Sequence, residues 1–545
     1  MSQTDLANLR LENEGETRHH IVAGQPALLL GGQLHNSTSS DLGRAREVFD
    51  QVVELGGNAV TATVSWHLIE PEEGRFDLTA VDELVAMARE RDLALTLLWF
   101  GAFKNAASTY APRWVRVDAK RFPRAQLGEA ARGGAFGLPG TPVLSVFSPN
   151  LRAADGRAFE ILTEHLAALG AAQSAGGPLV MVQVENETGL LGAARDHSAA
   201  AERAWNAPVP PELVSWLVLH PEANGTAARL WREHGSRLHG TWAEVLGSSS
   251  GAEESFMAWG FASYCGELAA LGARHLDVSY YANAWLGPQP GQDKPGQYPS
   301  GGPVFGQVDV WKAAAPQLSA LCPDVYVDDV KAGTAGYWRQ DNPVVIPESR
   351  LAVGNLLWAV GRGAVGFNVF GVDDLRTDGQ FARAFQLLRG ANQVIVQAQQ
   401  EGRIRPVLLE AGQQARVEIG DLVWTLRASA EVLESMFLDA GVQVRTQAAQ
   451  VLPETTQAAL VPSLADTRAM ALLVDLGQDE ILAIGQGLMF EVAGADGAVV
   501  EIDEAWEGIY VDGQWVPGRN LNGDERLNLL PLDRLSEVRI RVLRC

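Results

Sequence analysis

Between residues 20 and 395, short apolar runs typical of buried strands alternate with amphipathic helical segments. This alternation is the pattern of βα units, in which parallel strands are covered by helices. Eight strand runs are predicted, at 27–34, 58–64, 93–100, 179–184, 277–285, 323–329, 344–346 and 364–370. Eight units in about 370 residues favour an α/β fold of the (β/α)8 TIM barrel type, with an open doubly wound sheet as the alternative.

Helical spacing of apolar residues predicts the covering helices. They are expected at 41–55, 78–91, 153–172, 254–271, 313–321 and 380–399. A large insertion around 190–250 contains helical pieces and several tryptophans. The segment 102–150, rich in Gly, Pro and Arg, is expected to form a wall or lid on the catalytic face of the barrel.

After about residue 400 the sequence changes to alternating apolar and polar residues with Gly-, Asn- and Asp-rich turns, which predicts antiparallel β-structure. We therefore predict two domains. Residues 1–400 form the catalytic barrel, and 401–545 form a smaller, β-sandwich-like accessory domain. No motif indicates the role of this second domain, for which packing against the barrel, sugar binding and completion of a neighbouring subunit's site all remain open.

Charge and cysteine content exclude several classes of protein. The net charge of -23 disfavours nucleic acid and anionic membranes as partners, because both repel a negative surface. Only Cys265, Cys322 and Cys545 occur, too far apart for a disulfide framework or a cysteine-rich zinc cluster. The first residues lack a basic start followed by an apolar run, and no apolar stretch approaches the ~18 residues of a membrane span. A cytoplasmic protein is expected, and a homo-oligomer is left open.

Two glutamates follow predicted buried strands. Glu187 comes after 179–184, directly behind Asn186, and Glu348 comes after 344–346. The carboxyl ends of parallel barrel strands meet at one face. Two acids in that position suit retaining glycoside hydrolysis, in which one carboxylic acid protonates the leaving oxygen and the other carboxylate attacks the anomeric carbon. The alternative is a helix-terminal or salt-bridging role for either glutamate.

Glu185 is the competing acid on the same strand. Because side chains alternate along a strand, Glu185 and Glu187 are expected on one face and Asn186 on the other, unless the strand end kinks. We prefer Glu187, because it stands at the very end of the strand.

The motifs GGNAV, SWHLIEPEEGRFD and QVENETG, together with Glu348, give the barrel half a resemblance to clan A retaining glycoside hydrolases. It looks most like the family 35 β-galactosidases, with the family 42 β-galactosidases as nearest cousins. The resemblance implies an exo-hydrolase for terminal β-linked galactose, with Glu187 as general acid/base, Glu348 as nucleophile and Asn186 on the sugar 2-hydroxyl. It implies a carbohydrate substrate, and neither a metal nor an organic cofactor.

Further substrate-binding residues are expected at the strand ends, where rings can stack on a sugar and polar groups can bind its hydroxyls. The candidates are His35, Asn36, Trp66, Trp99, Tyr281, Trp285, Tyr326 and Phe370. By family analogy Tyr326 is expected to contact the nucleophile. Core packing is the alternative for each ring, and a capping or core position is the alternative for His35.

The chain also departs from family 35. Thr188 and Ser349 stand where aromatic residues are usual, Phe370 replaces a Trp, and the first strand ends in LHN rather than His-Tyr. The family 42 zinc cysteines are absent as well. These departures leave open another β-glycoside substrate (a glucoside, fucoside or arabinopyranoside) or a non-catalytic carbohydrate-binding protein on a decayed barrel.

Overall fold

The computed structural model describes residues 20–22, 25–127, 142–439, 452–456, 459, 463–511 and 513–544. The N-terminal segment, part of the predicted 102–150 wall and Cys545 lie outside these residues. Within the described part of the chain, no helix is both long and apolar enough to cross a bilayer.

Eight strands form one sheet that is a nearly closed barrel. The first ten strands in the described part of the chain are β1 (His20–Val22), β2 (Gln25–Ala27), β3 (Leu29–Gln33), β4 (Ala59–Ser65), β5 (Ala94–Lys104), β6 (Leu179–Asn186), β7 (Ser279–Trp285), β8 (Ala320–Asp324), β9 (Val345–Ile346) and β10 (Gly366–Phe370). The barrel order is β8-β7-β6-β5-β4-β3-β10-β9, and β4 to β8 pair in parallel. At the two ends of this order, the Val325 N–H donates to the Glu348 carbonyl oxygen at 2.8 Å. The predicted (β/α)8 barrel is confirmed.

Helices follow the strands along the chain. They are α1 (Leu42–Glu54), α2 (Trp66–Ile69), α3 (Thr79–Glu90), α4 (Arg113–Val117), α5 (Pro149–Ala168), α6 (Ala199–Trp205), α7 (Pro211–Leu219), α8 (Thr226–Glu233), α9 (Trp242–Leu246), α10 (Ser250–Gly272), α11 (Val308–Ala314), α12 (Val330–Thr334), α13 (Val353–Gly361), α14 (Gln380–Gly390) and α15 (Asn392–Gln400). Helices α6 to α9 lie within the predicted insertion.

The central strands are buried on both faces, as expected for a parallel sheet covered by helices. Every residue of β4 and of β6 is buried, and their sequences AVTATVS and LVMVQVEN are almost wholly apolar or β-branched until the polar end of β6. Helix α5 begins with Pro149 at its first position, and the Ser148 side chain accepts from the Leu151 N–H. This cap fixes the start of the helix that carries Asp155.

The prediction for residues 313–329 is wrong in detail. Helix α11 ends at Ala314 instead of continuing to 321, because Pro316 cannot continue a helix. The run from Ala320 to Asp324 is then strand β8, three residues earlier than predicted. The predicted helix 380–399 is likewise two helices, separated at Ala391 after Gly390.

Antiparallel β-structure follows residue 400, as predicted. Its elements are β11 (Ile404–Leu409), β12 (Gln414–Ile419), β13 (Leu422–Ala428), α16 (Ser429–Asp439), β14 (Ala469–Gly477), β15 (Glu480–Gln486), β16 (Leu488–Gly494), β17 (Val500–Val511), β18 (Gln514–Asn520) and β19 (Ser536–Arg544). They form a six-stranded sheet, β11-β14-β15-β19-β17-β18, and a three-stranded sheet, β12-β13-β16. Both sheets contribute to one apolar core, in which Trp424 meets Phe490 edge to face. The domain boundary near residue 400 remains a prediction.

Two compact units are distinguished by their internal contacts. One comprises Gln33–Phe49 and Ala59–Glu348. The other comprises Asp50–Asn58 and the described parts of 1–32 and 349–545. Both predicted catalytic glutamates belong to the first unit.

Gly485 tests the packing of the six-stranded sheet. A Cβ at this position would lie 2.0 Å from the Met470 carbonyl oxygen on β14, a backbone atom that cannot move aside. We expect Gly485→Ala to destabilise the protein by about 1–3 kcal/mol or more, measured by thermal unfolding followed by circular dichroism. Gly43→Ala, at an exposed position in α1, is the matched control and should be neutral or slightly stabilising. Equal melting temperatures for both variants would contradict the described packing.

Candidate active site

The end of β6 is built from left-handed backbone. Glu185 has φ 61° and Glu187 has φ 45°, and both are non-glycine residues in a region that L-amino acids rarely adopt. They flank Asn186, so the regular alternation of side chains stops here. The strand end is therefore kinked, which is the exception to the expectation that Glu185 and Glu187 share one face.

Glu185 is held in a buried carboxyl pair. Its two carboxylate oxygens accept the N–H groups of Ala102 at 2.9 Å and Phe103 at 2.8 Å. These donors are available because β5 breaks register with β6 between Trp99 and Lys104. The partner is Asp155 on α5. Burial and then the Asp155 charge raise the pKa of Glu185 well above its usual value.

Asp155 is itself fully enclosed by donors. It accepts from the Trp99 indole N–H at 2.9 Å, the Tyr264 hydroxyl at 2.6 Å and the Ala102 N–H at 3.1 Å. Burial raises the pKa of Asp155 as well, and these hydrogen bonds oppose the rise. Glu185 and Asp155 therefore form a structural pair, and Glu187, directly after β6, is the acid that lies near Glu348.

Three buried carboxyls meet at the carboxyl end of the barrel. Oxygen atoms of Glu187, Asp324 and Glu348 all lie within 4.8 Å of one another. Their exposed fractions are 5%, 1% and 6%. Glu187 directly follows β6, Asp324 ends β8, and Glu348 lies two positions after β9. Such a trio has the donor atoms to hold a divalent cation, and the absence of a metal remains a prediction.

Glu348 is oriented by two hydrogen bonds. The Gln33 side-chain amide donates to its Oε1 at 2.9 Å, and the Tyr326 hydroxyl donates to its Oε2 at 2.7 Å. Tyr326 thus contacts Glu348, as the family resemblance implied. The residue as a whole is 46% exposed, so Tyr326 contacts both the carboxylate and solvent.

The protonation of Glu187 is set by its surroundings. Burial and then the negative charge of Glu348 raise its pKa to about 8, while the positive charge of Lys104 acts in the opposite direction. Burial, followed by the charges of Glu348 and Glu187, also raises the pKa of Asp324 well above its usual value. At neutral pH Glu187 therefore carries a proton in the resting site.

A set of amides fixes the acid. The Glu187 N–H donates to the Asn283 side-chain oxygen at 2.9 Å. The Asn186 side-chain oxygen accepts from Gln183 at 3.0 Å and from Asn283 at 3.1 Å, and its Nδ2 donates to Asn105 at 2.9 Å. Among the described residues, Asn105 accepts one of the two hydrogens of the Asn186 amide.

The proposed aromatic contacts divide into two groups. Trp66 and Trp99 have no exposed surface, and their indole N–H groups are donated to Glu70 at 2.8 Å and to Asp155. A sugar cannot stack on them, so their assignment as substrate contacts is corrected to core packing. Trp285, the last residue of β7, is half-buried.

The other predicted substrate-binding residues lie on or shortly after strands β3, β7 and β10. Tyr281 on β7 is buried, and burial, followed by the charges of Cys322, Asp324 and Glu348, raises the pKa of its hydroxyl well above the usual value. His35 and Asn36 follow β3 and are half-buried, and Phe370 ends β10, also half-buried. Their roles toward a sugar remain predictions.

Sequence reasoning missed five residues of this site: Gln33, Lys104, Asn105, Asn283 and Asp324. A polar residue inside a buried apolar run was the available signal for Asn283 in SYYANAW and for Asp324 in ALCPD. For Asp324 the signal was lost, because β8 was predicted to begin only at Pro323.

Two family models match parts of the chain. Residues 38–231 match glycoside hydrolase family 42, described as Beta-galactosidase, and residues 381–531 match a domain of unknown function, DUF5597. The first match confirms the resemblance to clan A glycoside hydrolases and the named family 42 cousin, while the preference for family 35 remains a prediction. These residues carry a glycoside hydrolase domain, whose match includes Glu187 and ends before Asp324 and Glu348.

Three solved β-galactosidases resemble the chain at low identity. That of Bacillus circulans sp. alkalophilus is 17% identical with a TM-score of 0.44, covering 70% of this chain and 58% of that one. That of the psychrophilic Marinomonas ef1 is 13% identical with a TM-score of 0.42, covering 68% and 60%. The polyextremophilic enzyme of the Antarctic haloarchaeon Halorubrum lacusprofundi is 15% identical with a TM-score of 0.37, covering 63% and 52%. This chain thus spans 52% to 60% of their lengths. No curated protein matches it significantly.

Glu348→Gln should lower the pKa of Glu187 from about 8, because it removes a neighbouring negative charge that raises it. The pKa is measured by NMR on protein with ¹³C-labelled glutamate carboxyls, and the Glu187 resonance is assigned by its loss in Glu187→Gln. Glu222→Gln, an exposed position in the insertion, is the control and should leave the value unchanged. An unchanged pKa in Glu348→Gln would contradict the described coupling.

Proposed function

We propose that the chain is a retaining exo-glycoside hydrolase for terminal β-linked galactose, with Glu187 as general acid/base and Glu348 as nucleophile. The observation that carries this proposal is the spacing of their carboxyl oxygens, within 4.8 Å. Retaining enzymes hold their two carboxyl groups about 5–5.5 Å apart, whereas inverting enzymes need about 6.5–9.5 Å to admit a water. The short spacing therefore favours double displacement.

In the first step a Glu348 carboxylate oxygen attacks the anomeric carbon. The bond from that carbon to the leaving oxygen breaks, and the leaving oxygen takes the proton of Glu187. In the second step the Glu187 carboxylate removes a proton from water, whose oxygen attacks the anomeric carbon and releases Glu348. The sugar leaves with its original configuration.

The coupling between the two acids suits both steps. While Glu348 is ionised, its charge keeps the proton on Glu187, which is the form that a general acid needs. Once Glu348 is bonded to the sugar, that charge is gone and Glu187 becomes a stronger acid. It is then found as the carboxylate that a general base needs.

Neighbouring groups support these roles. Gln33 and Tyr326 hold the two oxygens of Glu348 in place, which leaves the nucleophile little freedom to rotate. The other amide hydrogen of Asn186 is proposed to bind the 2-hydroxyl of the sugar, a contact that strengthens in the transition state. The rings of Trp285 and Tyr326 are the proposed stacking surfaces.

Glu348→Gln should lower hydrolysis of aryl β-galactoside by at least about 10³-fold, because the amide cannot form the covalent intermediate. Initial rates are measured on a panel of aryl α- and β-galactosides, glucosides, fucosides and arabinopyranosides, with Glu222→Gln as the control of full activity. Cleavage of a different β-glycoside would keep the mechanism and change the sugar. Full activity of Glu348→Gln would contradict the proposed mechanism. If the wild type hydrolyses none of these glycosides but binds a sugar measurably, a carbohydrate-binding protein is favoured.

The pH profile follows from Glu187. Since the general acid must be protonated, kcat/KM should decline as the pH rises through about 8, the pKa of Glu187. The measurement is kcat/KM between pH 5 and 10 on a substrate with a poor leaving group, which needs the acid most. An activated aryl glycoside is the internal control, because its leaving group needs little protonation and its alkaline decline should be weaker. Equal profiles for both substrates would argue against Glu187 as the acid.

A further inference from the structure

Asp324 is a third carboxyl in the site, to which neither the proposed mechanism nor the family match assigns a role. It is the last residue of β8 and only 1% exposed. One of its oxygens lies within 4.8 Å of oxygens of both Glu187 and Glu348. The Val325 N–H, next along the chain, donates to the Glu348 carbonyl oxygen at 2.8 Å, so the two strand ends are tied together.

One side-chain amide links Asp324 to the acid. Asn283 donates its Nδ2 to Asp324 Oδ2 at 2.7 Å and accepts the Glu187 N–H through its Oδ1 at 2.9 Å. Asp324 Oδ2 is therefore occupied. Its Oδ1 is buried and has no hydrogen-bond partner among the described residues. A buried oxygen is expected to have a hydrogen-bond partner. A neighbouring carboxyl can be the partner of Asp324 Oδ1 if the two groups share a proton.

The charges around Asp324 are overwhelmingly acidic. The titratable groups that interact electrostatically with Asp324 are Glu187, Glu348, Cys322, Tyr281, Tyr326 and Tyr337. Lys104 is the cation that acts on Glu187. Three carboxylates so close together in a buried site cannot all be ionised. Burial, then the charges of Glu348 and Glu187, raise the pKa of Asp324 well above its usual value, so Asp324 is neutral alongside the protonated Glu187.

We propose that Asp324 is a positioning residue for Glu187: as a neutral carboxylic acid it donates its Oδ1–H to the Glu187 carboxyl and holds it toward the sugar. The inference rests on the proposed function, because it assigns a role within that reaction. A carboxylic acid in this position stays a donor only if its surroundings are dry, which the burial of Asp324 provides.

The donated hydrogen bond matters most in the second half of the reaction. Before the first step Glu187 is protonated and gains little from a donor. After it has protonated the leaving oxygen, Glu187 is an ionised carboxylate in a buried site, and hydrogen bonds to charged groups are the strong ones. Asp324 thus stabilises Glu187 while it serves as the base toward water, and the Asp324 proton itself stays in place.

Two substitutions separate this role from a structural one. Asp324→Asn keeps an acceptor for Asn283 and supplies an N–H donor toward Glu187, so the pKa of Glu187 and kcat should remain close to wild type. Asp324→Leu has similar volume but no donor. Its kcat should fall about 10- to 100-fold, and the pKa of Glu187 should rise by about one pH unit or more.

The kinetic signature identifies the affected step. With an activated aryl glycoside, slower release of the sugar from Glu348 in Asp324→Leu should give a pre-steady-state burst of the aryl alcohol. The accumulated intermediate should lower KM together with kcat. A general packing defect would lower kcat without a burst and would not lower KM. Thermal unfolding of both variants establishes that they are folded.

The proposal fails if Asp324→Asn loses as much activity as Asp324→Leu, because Asp324 would then act through its own negative charge. It fails equally if Asp324→Leu behaves as wild type. If Asp324→Leu does not fold, the ¹³C resonance of the Asp324 carboxyl in the wild type decides: a protonated signal at pH 7 supports the proposal, and an ionised one overturns it. Should the wild type cleave no glycoside, the proposed function fails, and the NMR pKa of Glu187 in the variants still decides whether Asp324 donates to it.

Discussion

Repulsion between buried carboxylates is the constraint on which this site depends. Five acids crowd the end of one strand: Glu185 and Asp155 on one side, and Glu187, Asp324 and Glu348 on the other. Since buried negative charges at such distances destabilise one another strongly, the fold must either keep protons on some of them or surround them with donors. The fold keeps protons on Glu187 and Asp324, surrounds Glu348 with donors, and does both for Glu185.

The donors come from places where regular structure is interrupted. The register break in β5 turns the N–H groups of Ala102 and Phe103 toward Glu185. Gly101 is required there, since a Cβ would lie 2.3 Å from the Trp99 indole nitrogen and 2.7 Å from a Glu185 oxygen. Bulges of this kind are common beside active sites, because they re-aim backbone and side chains without ending the sheet. The barrel therefore serves the site through its irregularities as much as through its strands.

The sequence was sufficient to predict the strands and helices that show a clear periodicity, and the acids that follow buried strands. All eight barrel strands and the β-rich C-terminal region were predictable, because burial on both faces leaves a continuous apolar run. The same reasoning predicted that Glu187 and Glu348 follow buried strands. It failed for Trp66 and Trp99, which were predicted to contact a sugar, because an aromatic ring near a strand end can equally be part of the core. Asp324 was not predicted because Pro323 lies within its strand and was interpreted as the first residue of that strand.

The left-handed backbone at Glu185 and Glu187 has a consequence for how the two acids are told apart. In a regular strand these residues would be equivalent, with the same side chain, the same face and neighbouring positions. Conformations of this kind cost about 1–3 kcal/mol each, and the surrounding hydrogen bonds must offset that strain. Two backbone torsions thus direct Glu187 toward Glu348 and Glu185 toward Asp155, and relaxation of the strand end toward ideal geometry would place both glutamates on one face and remove that difference.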